Sequence, residues 1–250
     1  MRLFKIILFH IVLFFSLTAY SHTPEDLIIA EIEQGQLTFA NEQIKAEYNA
    51  GMKRLRIRRL AAMSWKKQFA IFTKAGFQHI IPKGLDHILF VLGLFLSCLH
   101  FRSLLLQVTA FTVAHSITLA LAALGLIQIN VAIVEPLIAL SIVWIAIENC
   151  VFKKPSKWRY LVVFSFGLIH GLGFATVLSK YGLPKDNFIS LLLSFNIGVE
   201  IGQLSILIIA FILFKWILKK KWEIDKLRIL SSIIIGFISL FWFIERLLNL

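Results

Sequence analysis

The chain has 250 residues, is 58% hydrophobic with 23 Phe, and has a mean hydropathy of +0.82, far above the roughly half-apolar usage of soluble domains, so it reads as a polytopic membrane protein. Its formal charge of +12 does not point to nucleic acid, because Lys and Arg fall between apolar blocks and in one basic N-terminal stretch, where topology and anionic headgroups account for them. Two cysteines, Cys98 and Cys150, form no CxxC pair, which argues against a disulfide framework and a thiolate metal site.

Residues 1–21 read as a cleavable secretory signal peptide. Arg2 and Lys5 give the basic start, Ile6 to Thr18 the apolar run, and "AYS" a small-x-small cleavage site before His22. The alternative is an uncleaved anchor, but the run falls short of the ~20 residues a span needs. Cleavage would leave "HTPEDL" outside the cytoplasm, with a free amine beside His22 that could chelate a metal. Residues 22–75 are mixed and polar, partly helical, with Lys53, Arg54, Arg56, Arg58, Arg59, Lys66 and Lys67 in one stretch. They are expected to form a short extracytoplasmic membrane-surface segment.

Residues 76–250 should form the membrane domain, an all-α bundle of six transmembrane helices at about 83–99, 103–125, 131–152, 159–179, 188–218 and 227–248. Most are long enough to cross ~30 Å of hydrocarbon. With the first helix starting outside, eleven Lys and Arg fall on the inner loops, among them Arg102, Lys153, Lys154 and Arg159, against Lys180 and Lys185 on the outer ones. That bias puts both termini of the mature chain outside a bacterial-type inner membrane.

An ionisable side chain in lipid should face the bundle interior and have a partner. Counting from the loops, Asp86 and His87 lie early in the first helix, His115 about twelve residues into the second, His170 about eleven into the fourth, and Glu200 about twelve into the fifth. Because alternate helices run oppositely, all reach one band in the outer half, with His79 just above it. Pro82 is expected in the first turn of the opening helix, with His79 folding back over Asp86. Thr112 and Ser116 share a stripe with Thr109 beside His115, and Asn196, Glu200 and Gln203 form another at i, i+4, i+7 spacing. Gly167, Gly171 and Gly173 around His170 permit close helix approach. Imidazole and carboxylate without thiolate suit a divalent Ni, Zn, Co or Fe ion, giving His79, Asp86, His87, His115, His170 and Glu200 as candidate ligands. Elsewhere, Glu148 is expected as an interfacial partner of Lys153 or Lys154, and Glu245 with Arg246 as a local pair or interface anchors.

"GFQHIIPKGLDHILFVLGLFL", "VTAFTVAHSITLALAALGL", "VEPLIALSIVWIAIEN", "FGLIHGLGFA" and "FNIGVEIGQLS" follow in the order of the motif blocks of the HupE/UreJ family, and residues 76–250 resemble its second branch. The resemblance implies a role in nickel or metal handling and a metal-related role for the same six side chains. One departure concerns the cargo: the family's nickel permeases carry "HP" shortly before "DH", whereas here His79 precedes Asp86 by seven positions.

The expected function is a divalent-metal permease loaded from the outer side, its partners being the bilayer and the metal ion, with no nucleic acid. The alternative is an intramembrane metal-dependent hydrolase in which Asp86 or Glu200 acts as general base on a metal-bound water and substrate enters from the outer leaflet. A sensor or accessory subunit that binds metal without moving it is the third reading. An enzyme should be blind below the site, whereas a permease should carry polar groups on to the cytoplasmic face.

Overall fold

The computed structural model of the protein describes residues 42–152, 155–181, 187–218 and 223–250. The signal peptide, His22, Lys153, Lys154 and Lys185 lie outside them. The described residues form helices without strands: α1 (Glu42–Ala62), α2 (Trp65–Ile80), α3 (Leu85–Ser97), α4 (Phe101–Ala123), α5 (Val131–Val151), α6 (Arg159–Tyr181), α7 (Phe188–Leu218) and α8 (Ile224–Leu248).

Helices α4, α5, α7 and α8 are long and apolar enough to cross a membrane, and α2 with α3 makes a fifth crossing if the bent pair is one broken span. The described apolar part of α6, Arg159–Phe174, is shorter. The first apolar segment therefore differs from expectation. Helix α3 has only 13 residues, about 20 Å of rise, which is too short for ~30 Å of hydrocarbon. Helix α2 precedes it across a 69° bend. Its Lys66, Lys67, Gln68 and Lys74 kept it out of any hydropathy-defined span.

Glycines set the helix pairings. Between α4 and α6, a Cβ on Gly167 would meet Phe111 and Ala114, and one on Gly171 would meet His115 and Thr118. Rising positions pair with rising positions, so these two helices run in the same direction, as expected when α5 runs back between them. Between α2 and α7, Gly76 lies against the backbone of Phe195 and Val199, Gly198 against that of Thr73 and Phe77, and Gly202 against Ile80. This pair is also parallel. Helices α5 and α8 run opposite ways, with Gly236 beside Ala146 and Arg246 Nη1 donating to the Glu135 carbonyl at 3.1 Å. Arg246 also sits over the Trp242 ring at 5.7 Å, so it anchors the end of α8 on α5.

In lipid, apolar burial does little to join helices, and small residues that let backbones touch supply dispersion and Cα–H···O contacts instead. Gly198→Leu should force α2 from α7 and lower stability by about 1–3 kcal/mol. Gly51→Ala, at a site with nothing within 4 Å, should leave it unchanged or slightly raised, as thermal unfolding in detergent would show.

Candidate metal centre

The bend between α2 and α3 begins the site. Ile81 closes α2 by donating to the Phe77 carbonyl at 2.8 Å, and Pro82 follows with no N–H with which to extend the ladder. Gly84 precedes α3; its N–H reaches the Ile80 carbonyl at 3.1 Å, and its own carbonyl accepts from Ile88 at 2.8 Å. A Cβ on Gly84 would strike the His79 carbonyl and stand 3.3 Å from His87 Nδ1, so glycine is what lets the chain bend this closely here. Pro82 thus lies in the turn rather than in a helix beginning at 83, and His79 occupies the last turn of α2. The rings of His79 and His87 come to 4.8 Å, edge to face.

Two further imidazoles complete a group. His115 on α4 lies 6.0 Å from His79 and 5.8 Å from His87, and His170 on α6 lies 5.1 Å from His87, between ring centroids. Their convergence follows from the Gly171 contact, which seats α6 on the backbone of His115. Asp86 and His79 are part-exposed, whereas His87, His115 and His170 are buried beneath them. Phe90, Phe111, Phe174 and Phe195 wall the cluster, with His79 4.0 Å from Phe174 and His170 4.9 Å from Phe111.

Hydrogen bonding orients the rings. Asp86 Oδ1 lies 3.0 Å from His87 Nδ1 and accepts from the His87 N–H at 2.8 Å. The Phe166 carbonyl lies 2.8 Å from His170 Nδ1. Both partners only accept, so each Nδ1 donates, and Nε2 is left as the nitrogen through which each ring would bind an ion. This carboxylate-or-carbonyl support is the pattern behind metal-ligating histidines. His87 Nε2, His170 Nε2, His79 Nε2 and both nitrogens of His115 are buried without a partner. At about 1–3 kcal/mol for each unmet polar group, these five nitrogens would cost a large part of a typical 5–15 kcal/mol stability.

A shared tetrahedral ion with metal–nitrogen bonds of about 2 Å would hold imidazole centroids roughly 5 Å apart, the spacing of the closer pairs. The donor set therefore fits a divalent ion. The nitrogens are not drawn into a coordination shell, however: among the described residues, no group of three or more His, Cys, Asp or Glu stands where it could hold a metal as it is.

The other candidates lie alongside. Glu200 accepts from Thr109 Oγ1 at 2.7 Å, and Gln203 Oε1 accepts from Thr112 Oγ1 at 2.8 Å, so the two predicted stripes meet as an α4–α7 ladder. Ser116 donates back to the Thr112 carbonyl at 2.6 Å. Asn196 donates to the Leu192 carbonyl at 3.0 Å, leaving its Oδ1 buried and unpartnered.

The model of the family described as HupE / UreJ protein matches residues 54–246. The chain belongs to the HupE/UreJ family. This family is linked to nickel and metal handling in membranes. The match begins before residue 76, where the motif resemblance starts, and so takes in α2 and part of α1. Comparisons with curated proteins and with solved structures give no match.

The HupE/UreJ bundle holds a second polar group that sequence reasoning missed. Arg159, counted among the basic residues of an inner loop, begins α6 and is 2% exposed. Its Nη1 pairs with Glu148 Oε2, its Nη2 donates to Ser97 Oγ at 2.9 Å, and its Nε donates to Gln107 Oε1 at 3.3 Å. Glu148 Oε1 also accepts from the Ser156 N–H at 3.2 Å. Nearby, Asn149 Nδ2 donates to the Gly93 carbonyl at 2.8 Å. Glu148 therefore meets Arg159, while Lys153 and Lys154, its expected partners, lie outside the described residues. The available signal was Glu148 with Asn149 on an apolar helix end, one short loop before an arginine.

Removing one partner of a buried pair leaves a naked charge. Glu148→Leu should destabilise by about 3–5 kcal/mol, and the double change Glu148→Leu with Arg159→Met should recover most of that loss. Thermal unfolding of the three proteins in one detergent checks this.

Proposed function

We propose that the protein is a divalent-metal permease of the inner membrane, with His79, His87, His115 and His170 as its cation-loading site and Asp86 at its mouth. In this reading α6 supplies a sixth crossing, since its 23 residues rise about 35 Å. The signal peptide is removed, and the imidazole end faces outward under the positive-inside bias. The observation that carries the reading is the set of unpartnered ring nitrogens, two of them on rings steadied by Asp86 and the Phe166 carbonyl.

Each residue has a task that follows from its surroundings. Asp86, 21% exposed, attracts a hydrated cation and fixes the His87 ring. The buried imidazoles replace lost waters, and their intermediate-field nitrogens suit Ni, Zn, Co or Fe. His115, buried among the other rings with neither nitrogen hydrogen-bonded, has both nitrogens free to meet the ion. Release follows Thr112 and Thr109, which step away from His115 along α4 and are held by Gln203 and Glu200 of α7, so that α4 continues the polar lining away from the cluster. That continuation favours passage over a blind catalytic pocket. Loose, changeable coordination is what conduction requires, because a closed shell would retain the ion.

The test is metal analysis of the purified protein followed by uptake of Ni, Co, Zn and Fe into proteoliposomes. Wild type should bind about one ion per chain and move at least one of these metals. Asp86→Asn should weaken binding about 10- to 100-fold, as loss of an outer partner does, and His87→Ala should abolish uptake. Stoichiometric binding without movement of any of these ions would overturn the permease reading, and no binding at all would overturn the site.

A further inference from the structure

The buried Arg159 group is placed where an ion leaving the imidazole cluster would arrive. On α4, Gln107 lies eight positions before His115, with Thr109 and Thr112 between, an interval of about 12 Å. On α6, Arg159 lies eleven positions before His170, about 16 Å. Both intervals run from the imidazoles toward the opposite end of the bundle. We propose that Arg159 is a tethered cation that plugs the exit of the permeation path, held by Glu148 and withdrawn when the path opens. The proposal rests on the permease reading and assigns its closure.

The chemistry of the surroundings carries the argument. The guanidinium is met by oxygen acceptors from three other helices: Ser97 on α3, Gln107 on α4 and Glu148 on α5. One carboxylate with neutral oxygens is a cradle for a hard cation, and here the chain's own cation fills it. A fixed positive charge in a low-dielectric passage opposes cations, as arginines do in other selective pores. Beside the cradle, Phe95 packs on Phe211 at 4.9 Å and on Phe214 at 5.7 Å, and Phe101 on Phe211 at 5.8 Å. These rings close the α3, α4 and α7 side with apolar surface. Glu148 Oε1 also accepts from the Ser156 N–H, so both carboxylate oxygens are engaged and the cradle's anion is fixed in place.

A mere brace between helices would show the same contacts, so the test reads access rather than stability alone. Thr112→Cys, between the imidazoles and the cradle, serves as reporter in a Cys98→Ser, Cys150→Ser background reconstituted in proteoliposomes. A cationic, membrane-impermeant methanethiosulfonate is applied to each side in turn. With Arg159→Gln and Glu148→Gln together, labelling from the Arg159 side should rise about tenfold, and labelling from the imidazole side should not change. Ser97→Ala, which removes one tie and keeps the ion pair, should give about a threefold rise on that side alone, and it decides the matter if the double variant does not fold. Labelling at the parent rate, or rising equally from both sides, would overturn the plug. Labelling requires no metal movement. A wild type that moves no metal while the one-sided rise occurs therefore removes the cargo and keeps the plug, whereas uptake with unaltered labelling removes the plug alone.

Discussion

In hydrocarbon there is no water to take up an unpaired polar group, so every buried donor, acceptor and charge must be answered inside the protein. The bundle meets this demand in two opposite ways. At one end Arg159, Glu148, Gln107 and Ser97 answer one another, and all three kinds of guanidinium nitrogen have an acceptor. At the other end five imidazole nitrogens are buried and unanswered. The first arrangement closes and holds; the second calls for something to bind. The α4–α7 ladder of Thr109, Thr112, Glu200 and Gln203 lies between them.

Both ends depend on backbones that touch. Gly171 brings α6 onto the His115 carbonyl, and Gly76 and Gly198 let α2 and α7 meet backbone to backbone. A Cβ at Gly76, Gly171 or Gly198 would stand 1.9, 2.2 or 2.0 Å from a neighbouring atom, so the helices would have to part. The break at Pro82 and Gly84 matters for the same reason. A continuous helix would carry His79 and His87 eight residues and about 12 Å apart along its axis, whereas the 69° bend lets their rings meet at 4.8 Å.

Much of this was readable in the sequence because hydrophobic blocks set helix positions and helical rise sets depth. Helix α7 runs from 188 to 218 as read, α4, α5 and α8 have ends within three residues of expectation, and His115 and His170 could be levelled with His87 by counting from the loops. What escaped depended on tertiary partners. Lys66, Lys67 and Lys74 hid α2 as part of a bent pair, Pro82 was given to a helix start instead of a turn, and Arg159 was taken for a loop charge because nothing local marks an arginine as buried. Glu200 shared the depth band of the histidines, but its carboxylate is held by Thr109, since depth fixes level and not facing. Family membership over residues 54–246 agrees with the motif order while leaving the chemistry of the site to the residues themselves.

The central claim is that the clustered imidazoles bind a divalent cation directly. X-ray absorption at the zinc or cobalt edge of protein loaded with one equivalent measures this without relying on transport. The account predicts a first shell with three or four nitrogens at about 2.0–2.1 Å and the outer-shell scattering of imidazole rings, reduced by one ring in His170→Ala. A shell of oxygens alone, unchanged in that variant, would contradict it.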